Sequence, residues 1–143
     1  MKGPIRVVLD TNIFLSSLIT DGACRKVIEA LHVRIYVLYV NNDLLKEIET
    51  VAKREYFRQY FVIEVAERLL SFIKAKAVLV DTKISIPPGL QSSDIGDNHI
   101  VECVLVSNAE ILVTGNKKHF QKLSSKVKAF TAQEFLDYIS QQT

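Results

Sequence analysis

The sequence predicts an α/β fold in which helices cover both faces of a parallel β-sheet. Short apolar segments rich in β-branched residues alternate along the chain with longer segments of helical periodicity. The first short segment, residues 5–9, ends at a bare carboxylate, Asp10. A buried parallel strand has this pattern when it places one acid at its C-terminal edge before a helix begins. Alternation of this kind implies parallel strands joined by helical crossovers.

The first half of the chain contains two predicted strands. Residues 5–9 form the first, and helices follow it, including one at residues 23–31. The β-rich residues 34–40 form the second strand. Asn41 or Asn42 can cap the next helix, whose apolar positions are Leu44, Leu45, Ile48 and Val51. Residues 53–61 then break or bend the helical run, and a long helix covers residues 62–76.

The second half contains three more predicted strands. Residues 77–80 form the third strand, and residues 81–96 form the one long loop, which contains two adjacent prolines and a glycine. A helix at 98–108, a strand at 111–114, a short helix near 117–123, a strand at 127–130 and a closing helix complete the order. No internal repeat or linker interrupts it, so we expect residues 1–143 to form one domain.

Composition restricts the class of protein. Hydrophobic residues make up 48% of the 143 residues and charged residues 24%, as in ordinary globular proteins. The formal charge of +2 is nearly balanced and favours neither nucleic acid nor membrane by itself. Cys24 and Cys103 match no metal-binding spacing. Neither a signal peptide nor an apolar run of about 20 residues is found, so we expect a cytoplasmic protein.

Two acids stand where a metal ligand or a nucleophile would be useful. Asp10 follows the first strand, and Asp97 lies at the start of a helix on the side of its apolar stripe. An acid on a buried stripe is unusual unless something pairs with it. Each could instead cap its helix, accepting hydrogen bonds from free backbone N–H groups. Asp94, three residues before Asp97, can share either role.

Other polar residues are less decisive on spacing alone. Glu47 lies at the margin of an apolar stripe, which favours a surface charge. Glu102 points away from its stripe and is expected to be a solvated surface acid. Thr114, Gly115 and Asn116 place small polar groups at the end of the strand 111–114. Oxygen ligands gathered at one sheet edge suit Mg²⁺ or Mn²⁺. Without a cation, such carboxylates would repel one another.

The chain resembles the PIN-domain family of metal-dependent ribonucleases. The resemblance rests on four segments that together cover nearly the whole chain: VVLDTNIFLSSL, NNDLLKEIETV, SDIGDNHIVECVLVSNAEILVTGNKKHF and VKAFTAQEFL. It implies a three-layer α/β/α sandwich with a central parallel sheet and an acidic site for Mg²⁺ or Mn²⁺. The implied reaction is hydrolysis of RNA phosphodiester bonds, leaving a 3′-hydroxyl and a 5′-phosphate.

The resemblance also assigns roles to residues. The family's catalytic, metal-binding acids fall on Asp10, Glu47 and Asp97. An auxiliary metal position falls on Asn116, where the family often has a fourth acid. An amide can offer one carbonyl oxygen but no charge, so we expect weaker cation binding. Supporting and substrate-binding positions complete the predicted site: Asn12, Asp94, Thr114, Lys117 and Lys118, with His119 as a further group for phosphates.

Partners and alternatives follow from the same reasoning. The resemblance implies that the chain is the toxin of a type II toxin–antitoxin pair, with single-stranded or looped RNA as substrate, a masking antitoxin and a homodimer. Residues 56–65 are the candidate dimer surface, although their aromatics could equally belong to the core. A weak or inactive RNA-binding or protein-interaction module is the main alternative. A third alternative is a phosphoacceptor domain, either receiver-like or a phosphatase, in which Asp10 is phosphorylated. The phosphatase pattern requires a second acid at the position of Asn12.

Overall fold

A computed structural model describes residues 3–142. Its centre is a five-stranded, all-parallel sheet with the strand order β3-β2-β1-β4-β5. The strands are β1 (Ile5–Leu9), β2 (Tyr36–Val40), β3 (Val78–Leu79), β4 (Ile111–Val113) and β5 (Lys128–Phe130). The predicted strands are therefore confirmed, with boundaries that differ by one or two residues.

Both faces of the sheet are covered. Consecutive residues of a strand point to opposite faces, and Val7, Val8 and Leu9 are all fully buried. The neighbouring strand β4 is likewise buried along its whole length. A strand of this kind needs apolar partners on both sides, which the helices provide. The predicted α/β fold with helices on both faces is confirmed.

Six α-helices connect or follow the strands within residues 3–142. They are α1 (Thr11–Ile19), α2 (Ala23–His32), α3 (Asn42–Ala52), α4 (Ile63–Lys76), α5 (Asn98–Ser107) and α6 (Ala132–Gln141). Short 3₁₀ segments lie at Glu55–Gln59, Pro88–Leu90, Ile95–Asp97 and Lys117–Leu123. None of the helices in this part of the chain has the length and apolar character of a membrane span.

Helix α5 ends one residue earlier than predicted. Asn108 was expected to be the last residue of this helix, but it lies beyond it, is exposed and has a left-handed backbone with φ of 54°. Asparagine tolerates this conformation better than most residues and often ends helices in this way. Asn108 is therefore the C-cap that turns the chain towards β4.

The direction of winding reverses beside β1. This central strand pairs with β2 on one side and with β4 on the other. The chain moves outward from β1 through β2 to β3, then crosses back to β4 and β5. At such a point the loops after the two central strands diverge and leave a crevice at the carboxyl ends. Asp10 and Thr114 directly follow these two strands.

The loop of residues 81–96 is tied to two helices. Lys83 Nζ lies 2.6 Å from Asp43 Oδ2 on α3 and 3.5 Å from Glu102 Oε1 on α5. The backbone N–H of Ile84 donates to Glu102 Oε2 at 3.0 Å. The expectation that Glu102 is a solvated surface acid is wrong, because its side chain is only 13% exposed and holds the loop on α5.

The aromatic segment after α3 is divided between core and surface. Phe61 is buried in a small apolar cluster beneath α1, α3 and α4. Tyr56 and Tyr60 are exposed, and their hydroxyl oxygens lie 3.4 Å apart. Of the candidate dimer surface at residues 56–65, the two tyrosines and Val62 are thus available to a partner.

Candidate metal centre

Asp10 lies in the crevice between β1 and β4. Its backbone N–H donates to the carbonyl of Val113 at 2.9 Å, which fixes the turn after β1 against the end of β4. The residue is only 4% exposed, and its Oδ2 accepts a hydrogen bond from the Thr114 hydroxyl at 2.8 Å. Its side chain forms no capping hydrogen bond to α1. The capping interpretation of Asp10 is therefore wrong.

The Asp10 carboxyl is in an environment that disfavours its charge. Burial is the main cause that raises its pKa above the ordinary value of 3.8, and the charges of Asp97 and Glu47 raise it further. The Thr114 hydroxyl and the backbone of Thr11 act in the opposite direction. No cationic side chain within residues 3–142 forms an ion pair with Asp10. A cation bound next to Asp10 would favour the charged form of this carboxyl.

This raised pKa predicts how the stability of the metal-free protein depends on pH. The folded state binds the Asp10 proton more tightly than the unfolded state does. Protonated Asp10 therefore stabilises the folded state below pH 3.8, and this stabilisation is lost as the pH rises through the folded pKa. Asp10→Asn removes the buried charge. We therefore expect this variant to have a higher free energy of unfolding than the wild type at about pH 7.

Urea unfolding in chelator across the acidic and neutral range tests this expectation. The advantage of Asp10→Asn should shrink as the pH falls through the folded pKa and vanish below pH 3.8, where the wild-type carboxyl becomes protonated in both states. The exposed Asp137→Asn serves as control and should show no such trend. A variant less stable than the wild type at neutral pH would contradict the expectation.

Asp97 and Asp94 approach the site from the start of α5. Asp97 occupies the N-cap position but makes no side-chain capping bond, so its capping interpretation is also wrong. Its Oδ2 lies 3.1 Å from Nδ1 of His119. Asp94 is exposed and accepts a hydrogen bond from the Gly96 N–H at 3.0 Å. Asp94, Asp97 and His119 each offer one ligand atom, and the three atoms lie within 4.8 Å of one another.

Glu47 reaches the same region from α3. Its side chain is 33% exposed, consistent with its marginal position on the helix, and its Oε2 lies 2.8 Å from Nε2 of His99. The contact lacks hydrogen-bond geometry, and the buried Nε2 has no hydrogen-bond partner among residues 3–142. The negative charge of Glu47 raises the pKa of Asp10, so the two carboxyls interact electrostatically.

Asn41 joins α3, which carries Glu47, to α5, whose N-cap is Asp97. Its Oδ1 accepts a hydrogen bond from the Leu44 N–H at 2.9 Å and caps α3. Of the two predicted caps, Asn41 and Asn42, it is therefore Asn41 that caps this helix. Its Nδ2 donates to the carbonyl of His99 at 3.0 Å, in the first turn of α5. The side chain is 3% exposed, so both hydrogen bonds are shielded from water.

Loss of this junction should destabilise the protein. We expect Asn41→Ala to lower the free energy of unfolding by about 1–3 kcal/mol, because it removes a helix cap and a buried tie between helices. Asn41→Ser should recover the part that comes from capping alone. Chemical denaturation of the three proteins provides the measurement, and equal stability of Asn41→Ala and wild type would exclude this role.

The remaining predicted residues differ in burial and in their partners. Thr114 is fully buried, and besides donating to Asp10 its hydroxyl accepts from the Asn116 N–H at 3.0 Å. The Asn116 side chain is exposed and makes no hydrogen bond within the described residues. Lys117 is paired with Glu134 at 2.9 Å, whereas Lys118 is exposed. Asn12 is exposed in the first turn of α1.

The two histidines at the acids were not predicted in these positions. His99 had no assigned role, and His119 was expected to hold phosphate rather than to contact Asp97. A helical wheel can mark His99 as partly buried, but it cannot reveal which acid of another helix it meets. Such contacts depend on how α3 and α5 pack, which local sequence does not encode.

The groups present fit a hard divalent cation. The negative charges of Asp97 and Glu47 both raise the pKa of Asp10, and ligand atoms of Asp97, Asp94 and His119 lie within 4.8 Å of one another. The Thr11 hydroxyl, next to Asp10, is buried and has no hydrogen-bond partner among the described residues. Mg²⁺ and Mn²⁺ prefer carboxylate oxygens completed by water or other oxygens.

Comparisons with known proteins agree with this architecture. The sequence profile of the PIN domain matches residues 6–118. A structure of VapBC2 from Rickettsia felis bound to a DNA fragment from their promoter is similar, with a TM-score of 0.58 and 16% identity over 89% of this chain and 98% of that chain. VapBC-1 from nontypeable Haemophilus influenzae is similar with a TM-score of 0.54 and 15% identity over 90% and 99%. No individually curated protein matches significantly.

Proposed function

Because the chain belongs to the PIN-domain family, we propose that it is a Mg²⁺- or Mn²⁺-dependent endoribonuclease. The observation that carries this proposal is the buried Asp10 carboxylate, whose pKa is raised by burial and by the charges of Asp97 and Glu47, and which pairs with no cationic side chain among residues 3–142. Such an arrangement costs free energy in the absence of a cation and is favourable in its presence. The chain would cut RNA by hydrolysis of phosphodiester bonds.

Each side chain has a defined part in this reaction. Asp10 and Asp97 would hold the cation, and Thr114 keeps the Asp10 carboxylate oriented by its hydrogen bond. The chemistry that these two carboxylates would recruit with a divalent cation is activation of a water and stabilisation of negative charge on the phosphate oxygens. Glu47 would contact the cation through water or accept a proton from the attacking water. Asn116 would serve as an auxiliary oxygen ligand.

Single-stranded or looped RNA is the proposed substrate, because a flexible strand can enter a crevice at a sheet edge. A surface pocket of about 410 Å³ adjoins the site and is lined in part by Lys117, Lys118 and Thr131. The Lys118 ammonium is available to a phosphate, while Lys117 would have to exchange Glu134 for one. We therefore assign the larger contribution to Lys118.

The biological role we propose is that of a toxin with a protein antitoxin. The fold similarity to two VapBC structures supports this role. An antitoxin would act by covering the crevice. A homodimer through the exposed part of residues 56–65 completes the proposed assembly.

A cleavage assay tests the proposed function. The purified chain is incubated with end-labelled single-stranded RNA in Mn²⁺, in Mg²⁺ or in chelator. We expect internal cleavage only with a divalent ion, leaving 3′-hydroxyl and 5′-phosphate ends. The same RNA as a perfect duplex serves as the control and should be cut more slowly. Cleavage that persists in chelator would contradict the proposal.

A second candidate is an RNA-binding module without efficient cleavage. The observation in its favour is Asn116, which cannot supply the charge of the acid that often stands there in the family. RNA binding in chelator, with no cleavage at any Mn²⁺ concentration, would identify this function. A single titration of RNA cleavage against Mn²⁺ concentration therefore distinguishes the two candidate functions.

A further inference from the structure

We propose that His119 is a nitrogen ligand of the cation at Asp97, and that it makes the site selective for Mn²⁺ over Mg²⁺. This inference rests on the proposed function, which needs a cation but names no nitrogen ligand. The three groups concerned are Asp94, Asp97 and His119, whose ligand atoms lie within 4.8 Å of one another.

The separation of the atoms is suitable for shared coordination. Nδ1 of His119 and Oδ2 of Asp97 are 3.1 Å apart. Two adjacent ligands of an octahedral ion, each about 2.1 Å from it, are about 3 Å apart, and opposite ligands are about 4.2 Å apart. One ion can therefore contact both atoms without a large movement of either side chain, and a carboxylate oxygen of Asp94 lies within 4.8 Å of them.

The backbone around His119 holds this geometry in place. The carbonyl of His119 accepts hydrogen bonds from the Ser93 N–H at 3.0 Å and from the Ser92 hydroxyl at 2.8 Å. The Ser92 hydroxyl also accepts from the Asp94 N–H at 3.1 Å, and Ser92 is only 6% exposed. The segment that carries the two aspartates is thus fastened directly to the residue that carries the imidazole.

His119 can supply what Asn116 cannot. The exposed Asn116 amide brings no charge and is a weak ligand. An imidazole three residues later is a stronger donor, and it already faces Asp97. Mg²⁺ takes oxygen ligands and water, whereas imidazole nitrogen is a common ligand of transition-metal ions. A nitrogen ligand in this set therefore favours Mn²⁺.

Electron spin-echo spectroscopy of bound Mn²⁺ tests the proposal, because it detects the hyperfine coupling of a directly bound nitrogen. The full chain is loaded with Mn²⁺ alone, without RNA. We expect nitrogen coupling in the wild type. In a sample with isotopically labelled histidine the coupling should change, which identifies histidine as its source without any substitution. His119→Gln should lose the coupling and retain Mn²⁺ binding.

The other histidines provide matched controls. His99→Gln removes the ring beside Glu47, and His32→Gln removes a ring that packs near Phe72 on α4. Both should keep the coupling. Calorimetry should show that the preference for Mn²⁺ over Mg²⁺ falls about tenfold in His119→Gln only.

The outcomes separate this inference from the proposed function. Mn²⁺ binding without histidine coupling would overturn the ligand role of His119 and leave the oxygen site intact. Coupling that is lost in His99→Gln but kept in His119→Gln would overturn the assignment in favour of the other ring. A wild-type chain that binds no Mn²⁺ would overturn both the inference and the proposed function.

Discussion

Asp10→Asn should reduce divalent-dependent RNA cleavage by about 10³-fold or more. The substitution keeps the size of the side chain and its contact with Thr114 but removes the charge that we propose holds the cation. Loss of several kcal/mol of cation-mediated charge stabilisation in the transition state corresponds to a factor of this size. The measurement is the initial rate of cleavage at saturating Mn²⁺, on the RNA used for the wild type.

Two controls make the result specific. Asp137→Asn changes an exposed aspartate on α6 and should cleave at the wild-type rate. The unfolding of Asp10→Asn in chelator shows that the variant is folded, and addition of Mn²⁺ should stabilise it far less than the wild type. Full divalent-dependent cleavage by Asp10→Asn would show that the metal site is wrongly assigned.

Thr114→Val should weaken Mn²⁺ binding by about 10–100-fold, the usual cost of losing a group that orients a metal ligand. Valine has nearly the same shape, so the fully buried position remains filled. It removes the hydroxyl that lowers the pKa of Asp10, so that pKa should rise further. Because a metal displaces the carboxyl proton, binding then becomes weaker and more dependent on pH.

Calorimetric titration with Mn²⁺ at several pH values provides the test. The deficit of Thr114→Val should shrink as pH rises, since the Asp10 proton is then released without help from the metal. Thr114→Ser keeps the hydroxyl and should bind Mn²⁺ more tightly than Thr114→Val. Equal affinity of Thr114→Val and wild type at every pH would remove Thr114 from the site.

The sequence predicts the fold more completely than it predicts the site. Strands such as β1 and caps such as Asn41 are determined by residues close to one another in the chain, so local patterns suffice to find them. Glu102 was misassigned because its partner Lys83 belongs to a loop whose path depends on tertiary packing. Spacing alone likewise left Glu47 as a surface charge, and only the family resemblance singled it out.

The order in which the site residues occur in the chain has a physical consequence for its synthesis. Asp10 and its partner Thr114 are 104 positions apart, and strand β1 is flanked on one side by β4. A growing polypeptide that has not yet reached β4 lacks one neighbour of its central strand and cannot close the crevice. The proposed metal site is therefore completed only after β4 has been synthesised, late in the translation of the chain.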